Sequence, residues 1–325
     1  MKQPDVMTLP SQHPILTVTL NPALDLATSA EDIRPGPKLR CAEPEIDPGG
    51  GGINVSRAIA ILRGQSRVFV ALGGATGQRL RDLLAAEGVE TLPFDIPGET
   101  RQSLSVSDRT SGGQYRFVLP GPHWAAELAG DALAAITDAL TPDTVAVLSG
   151  SLPPGVDAAF PALLAARMRA KGGRLLVDTS GPALDALITR PGGIDVLRMD
   201  YHEAQHLARD PLKSRAQTAA FAENLRARGA ADIVVIARGA DGSVLAGPDG
   251  RWIASRPAPQ VVSAVGAGDS FVAAFTLATA RALPPPEALR HGTAAASAAV
   301  MTPATRLCTW EETQKALEEC VLERV

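Results

Sequence analysis

The sequence predicts an α/β fold: a doubly wound domain with a mostly parallel central sheet between two helix layers, and a small β-sheet lid. Three observations predict it. Short apolar runs recur along the 325 residues with helix-patterned stretches between them, the alternation that builds βαβ units. Hydrophobic residues make up 45% of the chain and charged residues 20%, enough for a large core. Aromatics are only 4% while glycine numbers 30, which suits helices packed closely on a sheet better than an aromatic-rich all-β core.

Residues 1–14, MKQPDVMTLPSQHP, lack an apolar stretch and read as a flexible N-terminal arm ahead of one domain spanning 15–325. No secretory h-region and no run of eighteen apolar residues is visible, so a cytoplasmic location is expected and a membrane partner is not. Ile15–Leu20 is the first strand-like run; Arg67–Leu72, Val145–Leu148, Arg174–Val177, Asp195–Met199 and Ile233–Ala237 follow, each of strand length. Val55, Ala58, Ile59 and Leu62 fall at i, i+3, i+4, i+7, as do Phe271, Ala274, Phe275 and Ala278, the one-faced spacing of a buried helix. Two segments break the rhythm. Lys38–Glu45 follows a Pro/Gly turn at Arg34–Pro37, and Arg101–Asp108 and Gln114–Leu119 flank Ser111-Gly112-Gly113 as a hairpin. Together they predict lid segments at about 36–46 and 100–120.

The net charge is −4, so no basic field exists to hold a nucleic-acid backbone. Cys41, Cys308 and Cys320 are odd in number, widely spaced and without a CxxC; they read as free thiols in a reducing compartment.

Two glycine-rich segments carry chemistry. Val265-Gly266-Ala267-Gly268-Asp269-Ser270 follows a strand-like stretch, Gln260–Val262, and opens an amphipathic helix. Helix-start amides are unpaired, and the dipole adds positive charge there, so Gly266, Ala267 and Gly268 suit a phosphoryl group in transfer. Asp269 is placed to take the proton of an attacking hydroxyl, and the dipole is expected to keep it ionised and therefore a weak base. The second segment is Pro48-Gly49-Gly50-Gly51-Gly52-Ile53-Asn54-Val55. Four glycines raise the entropy cost of ordering but let a backbone wrap closely on a polar ligand, and Asn54 both donates and accepts hydrogen bonds. On its own each segment also reads as a structural turn. No GxxxxGK[ST] occurs, so no Walker A loop is present.

These two segments are the paired signatures of ribokinase-like, PfkB-type carbohydrate kinases, and the sequence resembles that family. Leu20-Asn21-Pro22-Ala23-Leu24-Asp25, Gly73-Gly74-Ala75-Thr76-Gly77, Thr100-Arg101-Gln102-Ser103, Tyr115 to Gly121, Ser149 to Gly155 and Thr305-Arg306-Leu307-Cys308 are similar to its bacterial 6-phosphofructokinase isozyme-2 branch, from about Ile15 to Lys315. The resemblance implies a ribokinase-like three-layer αβα domain that transfers phosphate from ATP, with Mg²⁺, to fructose 6-phosphate. It implies Asp269 as base with Gly266–Gly268 as anion hole. Asp25 and Asn54 would hold sugar hydroxyls, Gly50 and Gly51 would pack on the sugar, and Ser151 would line its site. Arg101 would grip the 6-phosphate with its rigid fork, and Lys38 and Arg40 would add charge from the lid. The lid would close over the sugar and exclude water, and lids of two subunits would pack as a homodimer. Kinases for fructose 1-phosphate or tagatose 6-phosphate share these signatures, and a sugar-phosphate sensor without turnover is the reading from another class.

The nucleotide half departs from the family pattern. Where Asn-x-x-Glu is common, the chain has Asp200-Tyr201-His202-Glu203; Glu203 would meet Mg²⁺ through water, while Asp200 brings a charge near the triphosphate. Arg198 replaces a usual Lys, and Ala237 and Ala264 replace usual hydroxyls. Gly239 and Gly242 keep the turn that borders the nucleotide, and Ser263 lies beside it. Thr302 and Ala304 stand where relatives have Asn and Gly in a loop tied to monovalent cations. Altered donor binding is the expectation. His202-Glu203-Ala204-Gln205-His206 is also a literal HExxH, but the pattern fixes only three positions and no third ligand has supporting spacing.

Overall fold

A computed structural model describes residues 11–190, 192–256, 261–302 and 306–325. The first half runs β1 (Ile15–Thr19), β2 (Ala23–Ala30), β3 (Glu45–Gly49), α1 (Gly51–Ile61), β4 (Arg67–Leu72), α2 (Gly74–Ala86), β5 (Thr91–Asp95), β6 (Arg101–Asp108), β7 (Gln114–Val118), α3 (Ala126–Asp138), β8 (Val145–Ser149) and α4 (Phe160–Ala170). The second half runs β9 (Arg174–Asp178), α5 (Pro182–Thr189), β10 (Val196–Asp200), α6 (Tyr201–Leu207), α7 (Arg215–Ala227), β11 (Ile233–Ala237), β12 (Ser243–Gly247), β13 (Gly250–Ser255), α8 (Ala267–Ala280), α9 (Pro285–Ala299), α10 (Trp310–Glu319) and β14 (Val321–Arg324).

Ten strands form the main sheet in the order β14-β13-β12-β11-β10-β9-β8-β1-β4-β5. From β5 to β11 every neighbouring pair is parallel, and β12 to β14 close one end antiparallel. Alternate residues serve opposite faces. Leu16 and Val18 pack with α3 to α7, through side chains such as Ile136, Leu164 and Leu225. Ile15 packs on the other face with Val55 and Ile59 of α1 and Phe271 and Phe275 of α8. Val68 and Val70 meet Leu80 and Leu84 of α2 on that same side. The result is three layers, helix on sheet on helix. The chain leaves β1 toward β4 and later returns through β8 on the other side. The β1/β8 boundary is therefore a topological switch point, where open α/β sheets leave a crevice at the strands' carboxyl ends.

The small sheet has the order β3-β2-β6-β7. Its register pairs Asp25 with Asp47 and Ser103, and Ser105 with Arg116, on one face. On the other face it pairs Leu26 with Ile46 and Leu104, Leu104 with Phe117, and Val106 with Tyr115.

Several expectations need correction. Lys38–Glu45 is not a strand; β3 begins at Glu45. Pro35, Pro37 and Pro44 each lack a backbone donor, so the segment cannot keep up a ladder, and Ala42 N–H bonding to Ser29 O pins it instead. The Gln260–Val262 strand is absent at Val261 and Val262, and Gln260 lies outside the described residues. The end of the N-terminal arm is fastened: His13 N–H donates to Ala280 O at 2.8 Å, and Gln12 exchanges hydrogen bonds with the Gln65 backbone. Residues 1–10, and Ala304 and Thr305 of the motifs singled out above, lie outside the described residues.

Candidate active site

The site is built where α1, α8 and the small sheet meet the carboxyl ends of β1, β8, β9 and β10. Gly50 ends β3's turn into α1 with φ 129°, a conformation that favours glycine. A side chain on Gly51 would overlap Ser149 Oγ, and one on Gly52 would meet Thr19 Oγ1. These glycines thus let α1 start directly against the ends of β1 and β8, a packing reason as well as a ligand-binding one. Asn54, in α1's first turn, donates from Nδ2 to Asp269 Oδ2 at 2.9 Å. The two segments, 215 residues apart in the chain, therefore share one cleft.

Gly266 caps α8 in the left-handed region at φ 80°, which turns the chain so that the amides of Ala267 and Gly268 open the helix. Asp269 is not the freely ionised carboxylate expected from the dipole. Burial pushes its pKa up to about 7; the Asn54 hydrogen bond and Arg198 oppose this, and the Asp178 and Asp25 carboxylates add to it. Desolvation and like charge outweigh the helix start, so the carboxyl exchanges its proton near neutral pH.

Arg198, on β10, donates from Nη1 to Asp178 Oδ1 at 3.0 Å, with both side chains nearly buried. A Cβ on Gly268 would stand 3.4 Å from both Arg198 terminal nitrogens. A permanent cation thus lies under the start of α8. Asp178 carried no signal of its own in the sequence except its place directly after a strand-like run. It belongs to this cluster, 3.5 Å from Ser149 Oγ.

Asp200 and Glu203 form a capping box on α6: Glu203 N–H donates to Asp200 Oδ1 at 2.9 Å, and Asp200 N–H to Glu203 Oε2 at 2.8 Å. Asp caps a helix as well as Asn does, so the departure from the family's amide preserves the local structure, and the Asp200 charge is directed to backbone amides. Replacing Asp200 by Ala should cost about 0.5–2 kcal/mol of stability, read by urea unfolding, whereas Asp200→Asn should be near neutral. Glu203's pKa is raised by burial, with Asp200 and Asp178 adding to it against the Asp200 amide and Arg198. That surplus of buried negative charge fits a nearby divalent cation. Among the described residues no three His, Cys, Asp or Glu side chains converge as a metal cage; His202 lies edge-on to Tyr201.

In the small sheet, Asp25 lies on β2 against Gly49, where any side chain would overlap its carboxylate. Burial raises its pKa; Arg101, Arg116 and the Ser103 hydroxyl pull it back, and Asp47 adds to the rise. Arg101, at the start of β6, donates from Nε to Asn21 O at 3.2 Å and from Nη1 to Leu119 O at 3.3 Å. Asn21 Nδ2 donates to Ser151 Oγ at 3.1 Å. Arg116 was not singled out from the sequence, because its motif alone does not say which way it points; the β6–β7 register puts it on Asp25's face. Lys38 and Arg40 are exposed in the irregular segment before β3 and make no hydrogen bond to this group.

The residues that the sequence suggests for a nucleotide are spread along the neighbouring strand ends. Ala237 pairs with Asp200 at the ends of β11 and β10, and Gly239 and Gly242 bound a 3₁₀ turn with φ 59° and 89°. Arg238, which was also not anticipated as a structural anchor, holds that turn through Leu212 O, Thr218 Oγ1 and Asp241 and stacks over Tyr201. Ser263 Oγ accepts the Val265 N–H at 3.2 Å.

Residues 19–312 match the pfkB family of carbohydrate kinases. The chain belongs to that family. It is 36% identical over 304 residues to the ATP-dependent 6-phosphofructokinase isozyme 2 of Mycobacterium tuberculosis, covering 94% of this chain and 89% of that one. It is 33% identical to a 1-phosphofructokinase of Xanthomonas campestris, covering 81% and 83%. It superposes with TM-score 0.86 on the crystal structure of Escherichia coli phosphofructokinase-2 in complex with fructose-6-phosphate, at 37% identity, covering 94% of this chain and 98% of that one. This carbohydrate kinase has the ribokinase-like α/β fold, with a large, mostly parallel sheet and a smaller separate one. No helix among the described residues is long and apolar enough to cross a membrane.

Proposed function

We propose that this kinase transfers the γ-phosphoryl group of ATP to the 1-hydroxyl of fructose 6-phosphate, with Asp269 as base. The observation that carries the reading is the 2.9 Å bond between Asn54 and Asp269, in a cleft whose sugar side is walled by Arg101, Arg116 and Asp25. The two guanidiniums receive the 6-phosphate. Asp25, Asn54 and Ser151 orient hydroxyls, and Gly50 and Gly51 leave room for the sugar to lie on the backbone. The opposite end of the sugar then faces Asp269. Its hydroxyl proton passes to the Asp269 carboxylate as the oxygen bonds to γ-phosphorus and the bond to the ADP oxygen breaks. The amides of Gly266, Ala267 and Gly268, with Arg198 beneath, face the charge on the transferring group. Ser263, Ala237, Gly239 and Gly242 border the nucleotide. Mg²⁺ would be held near Glu203 through water, where it supplies positive charge to the triphosphate; Asp200 stays in the helix cap.

The small sheet is placed to act as the lid, and its apolar outer face suits a second copy of the chain. Leu104, Tyr115 and Phe117 lie together on that face, Phe117 being 52% exposed. Phe117→Glu is expected to convert a dimer to monomers in sedimentation velocity; a wild-type protein that sediments as a monomer at micromolar concentration would contradict the lid pairing.

The likeness to 1-phosphofructokinases supports a second reading, in which fructose 1-phosphate is the acceptor. ADP release over a panel of hexose phosphates and nucleoside triphosphates separates the two. Fructose 6-phosphate with ATP should give the highest kcat/KM. A lead by fructose 1-phosphate or tagatose 6-phosphate would replace the acceptor, and saturable sugar binding without ADP release would replace the enzyme by a sensor.

A further inference from the structure

Thr19 ends β1 and touches the glycine-rich start of α1. Its Oγ1 accepts the Ile53 N–H at 3.0 Å, a buried bond between residues 34 apart in the chain. The same side chain fills the space that side chains on Gly50 and Gly52 would need. A Cβ on Gly50 would stand 2.7 Å from Thr19 Cγ2, and one on Gly52 2.5 Å from Thr19 Oγ1. Thr19 is only 2% exposed.

A helix begins with amides that have no partner inside the helix, and the side chain at its cap ordinarily takes one of them. The cap of α1 is Gly50, which has no side chain to offer. The Thr19 hydroxyl takes that part from the neighbouring strand. Successive glycines restrict the backbone little by themselves, so the course of this turn is set by what it packs on. Thr19 acts on both sides of the Asn54 backbone. Its hydroxyl holds the amide of the residue before Asn54. Its methyl lies against Gly50, whose carbonyl accepts the Asn54 N–H at 3.0 Å. The buried Ile53 side chain, clustered with Leu24, Val70 and Leu80, keeps α1 on the sheet. Such packing is non-directional, whereas the hydrogen bond fixes the orientation of the peptide.

On the reading of Asp269 as base, we propose that Thr19 is a positioning residue for the phosphoryl transfer: its hydroxyl orients the first turn of α1 so that Asn54 Nδ2 reaches Asp269 Oδ2. The consequence is measurable at Asp269. Burial raises its pKa most. The Asn54 bond is the largest influence against that rise, ahead of Arg198 on β10, while Asp178 on β9 and Asp25 on β2 add to the rise. Without the Thr19 hydroxyl the Asn54 bond weakens, and the Asp269 carboxyl holds its proton to higher pH.

Thr19→Val, which keeps the branched shape and removes the hydroxyl, tests this in two measurements. The first is the pH profile of kcat/KM: its acid limb should move to higher pH, and kcat should fall roughly tenfold, as for a misplacement of a fraction of an ångström. The second needs no turnover. The gap in melting temperature between a protein and its Asp269→Asn counterpart grows with pH and levels off at the folded value of Asp269. In the wild type that point is expected near 7, and in the Thr19→Val background it should lie higher. Thr19→Ser, which keeps the hydroxyl, should stay close to wild type in both measurements. Asn54→Ala should itself raise the Asp269 value, and Thr19→Val added to it should raise it no further, because the two act through one bond. The proposal is overturned if Thr19→Val leaves the levelling point where the wild type has it, if Thr19→Ser shifts it as far as Thr19→Val, or if Thr19→Val shifts it equally in the Asn54→Ala background. Undiminished turnover in Asp269→Asn is a different failure: it removes Asp269 as base, and with it a role for Thr19 in the transfer, even where the levelling point moves as expected.

Discussion

Asp269→Asn is expected to lower turnover by roughly 10²–10⁴-fold, the usual contribution of a positioned base, while fructose 6-phosphate still binds. The amide keeps the size of the carboxylate and a hydrogen-bonding oxygen for Asn54, but it cannot take a proton. Because the Asp269 carboxyl is pushed up to about 7, wild-type kcat/KM should rise with pH through that value and fall on its acid side. The same shift governs stability. The folded protein holds this proton more tightly than the unfolded chain, whose value is near 3.8. The stability associated with the protonated form is complete below 3.8 and is lost as pH rises through about 7. The Asn variant escapes that loss. Its melting temperature should therefore exceed that of the wild type at pH 8, and the difference should shrink in acid. An inactive variant with no such stability difference would point to misplacement rather than to loss of the base.

Arg101→Ala is expected to reduce kcat/KM for the phosphorylated acceptor by roughly 10–100-fold, chiefly through KM, since a charge-assisted hydrogen bond is worth about 1.5–3 kcal/mol. Arg116→Ala should act in the same direction, and the pair should be non-additive because the proposed function assigns both guanidiniums to one phosphate. Arg101 also ties Asn21 O to Leu119 O, so some loss would follow from loosening the sheet alone. Fructose without its phosphate separates the two causes. Its slow turnover should differ little between wild type and variant if phosphate is the ligand, and should fall in parallel if the sheet has simply lost its shape.

The inner strands of the main sheet were legible because they are buried on both faces and read as apolar runs, whereas the parallel edge strand β5, TLPFD, is half-exposed and was not anticipated. Arg67–Leu72 and Ile233–Ala237 fall where the runs place them. The strands that escaped notice lack that signal. β2, ALDLATSA, is half-polar on its site face, and β3, EIDPG, contains a proline that only an edge strand tolerates. The hairpin of β12 and β13 and the final strand β14 were hidden for a related reason: they extend the sheet antiparallel at its end, beyond the βαβ rhythm. At the site, Asp269 and Asn54 could be named from glycine-rich helix starts, whose chemistry is local. Asp178 and Arg116 could not, because their roles come from neighbours supplied by other strands. The ionisation of Asp269 was misjudged for the same cause. The helix dipole is visible in sequence, whereas burial and the Asp178 and Asp25 charges exist only in the folded cleft.

The most direct measurement is ³¹P NMR of the product formed from ATP and fructose 6-phosphate. With the phosphate held at Arg101 and Arg116 and the far hydroxyl against Asp269, a second phosphate ester should appear on carbon 1 in step with ADP, and Asp269→Asn should suppress both. Inorganic phosphate in place of the new ester, or an ester that forms undiminished in the Asn variant, would contradict the account.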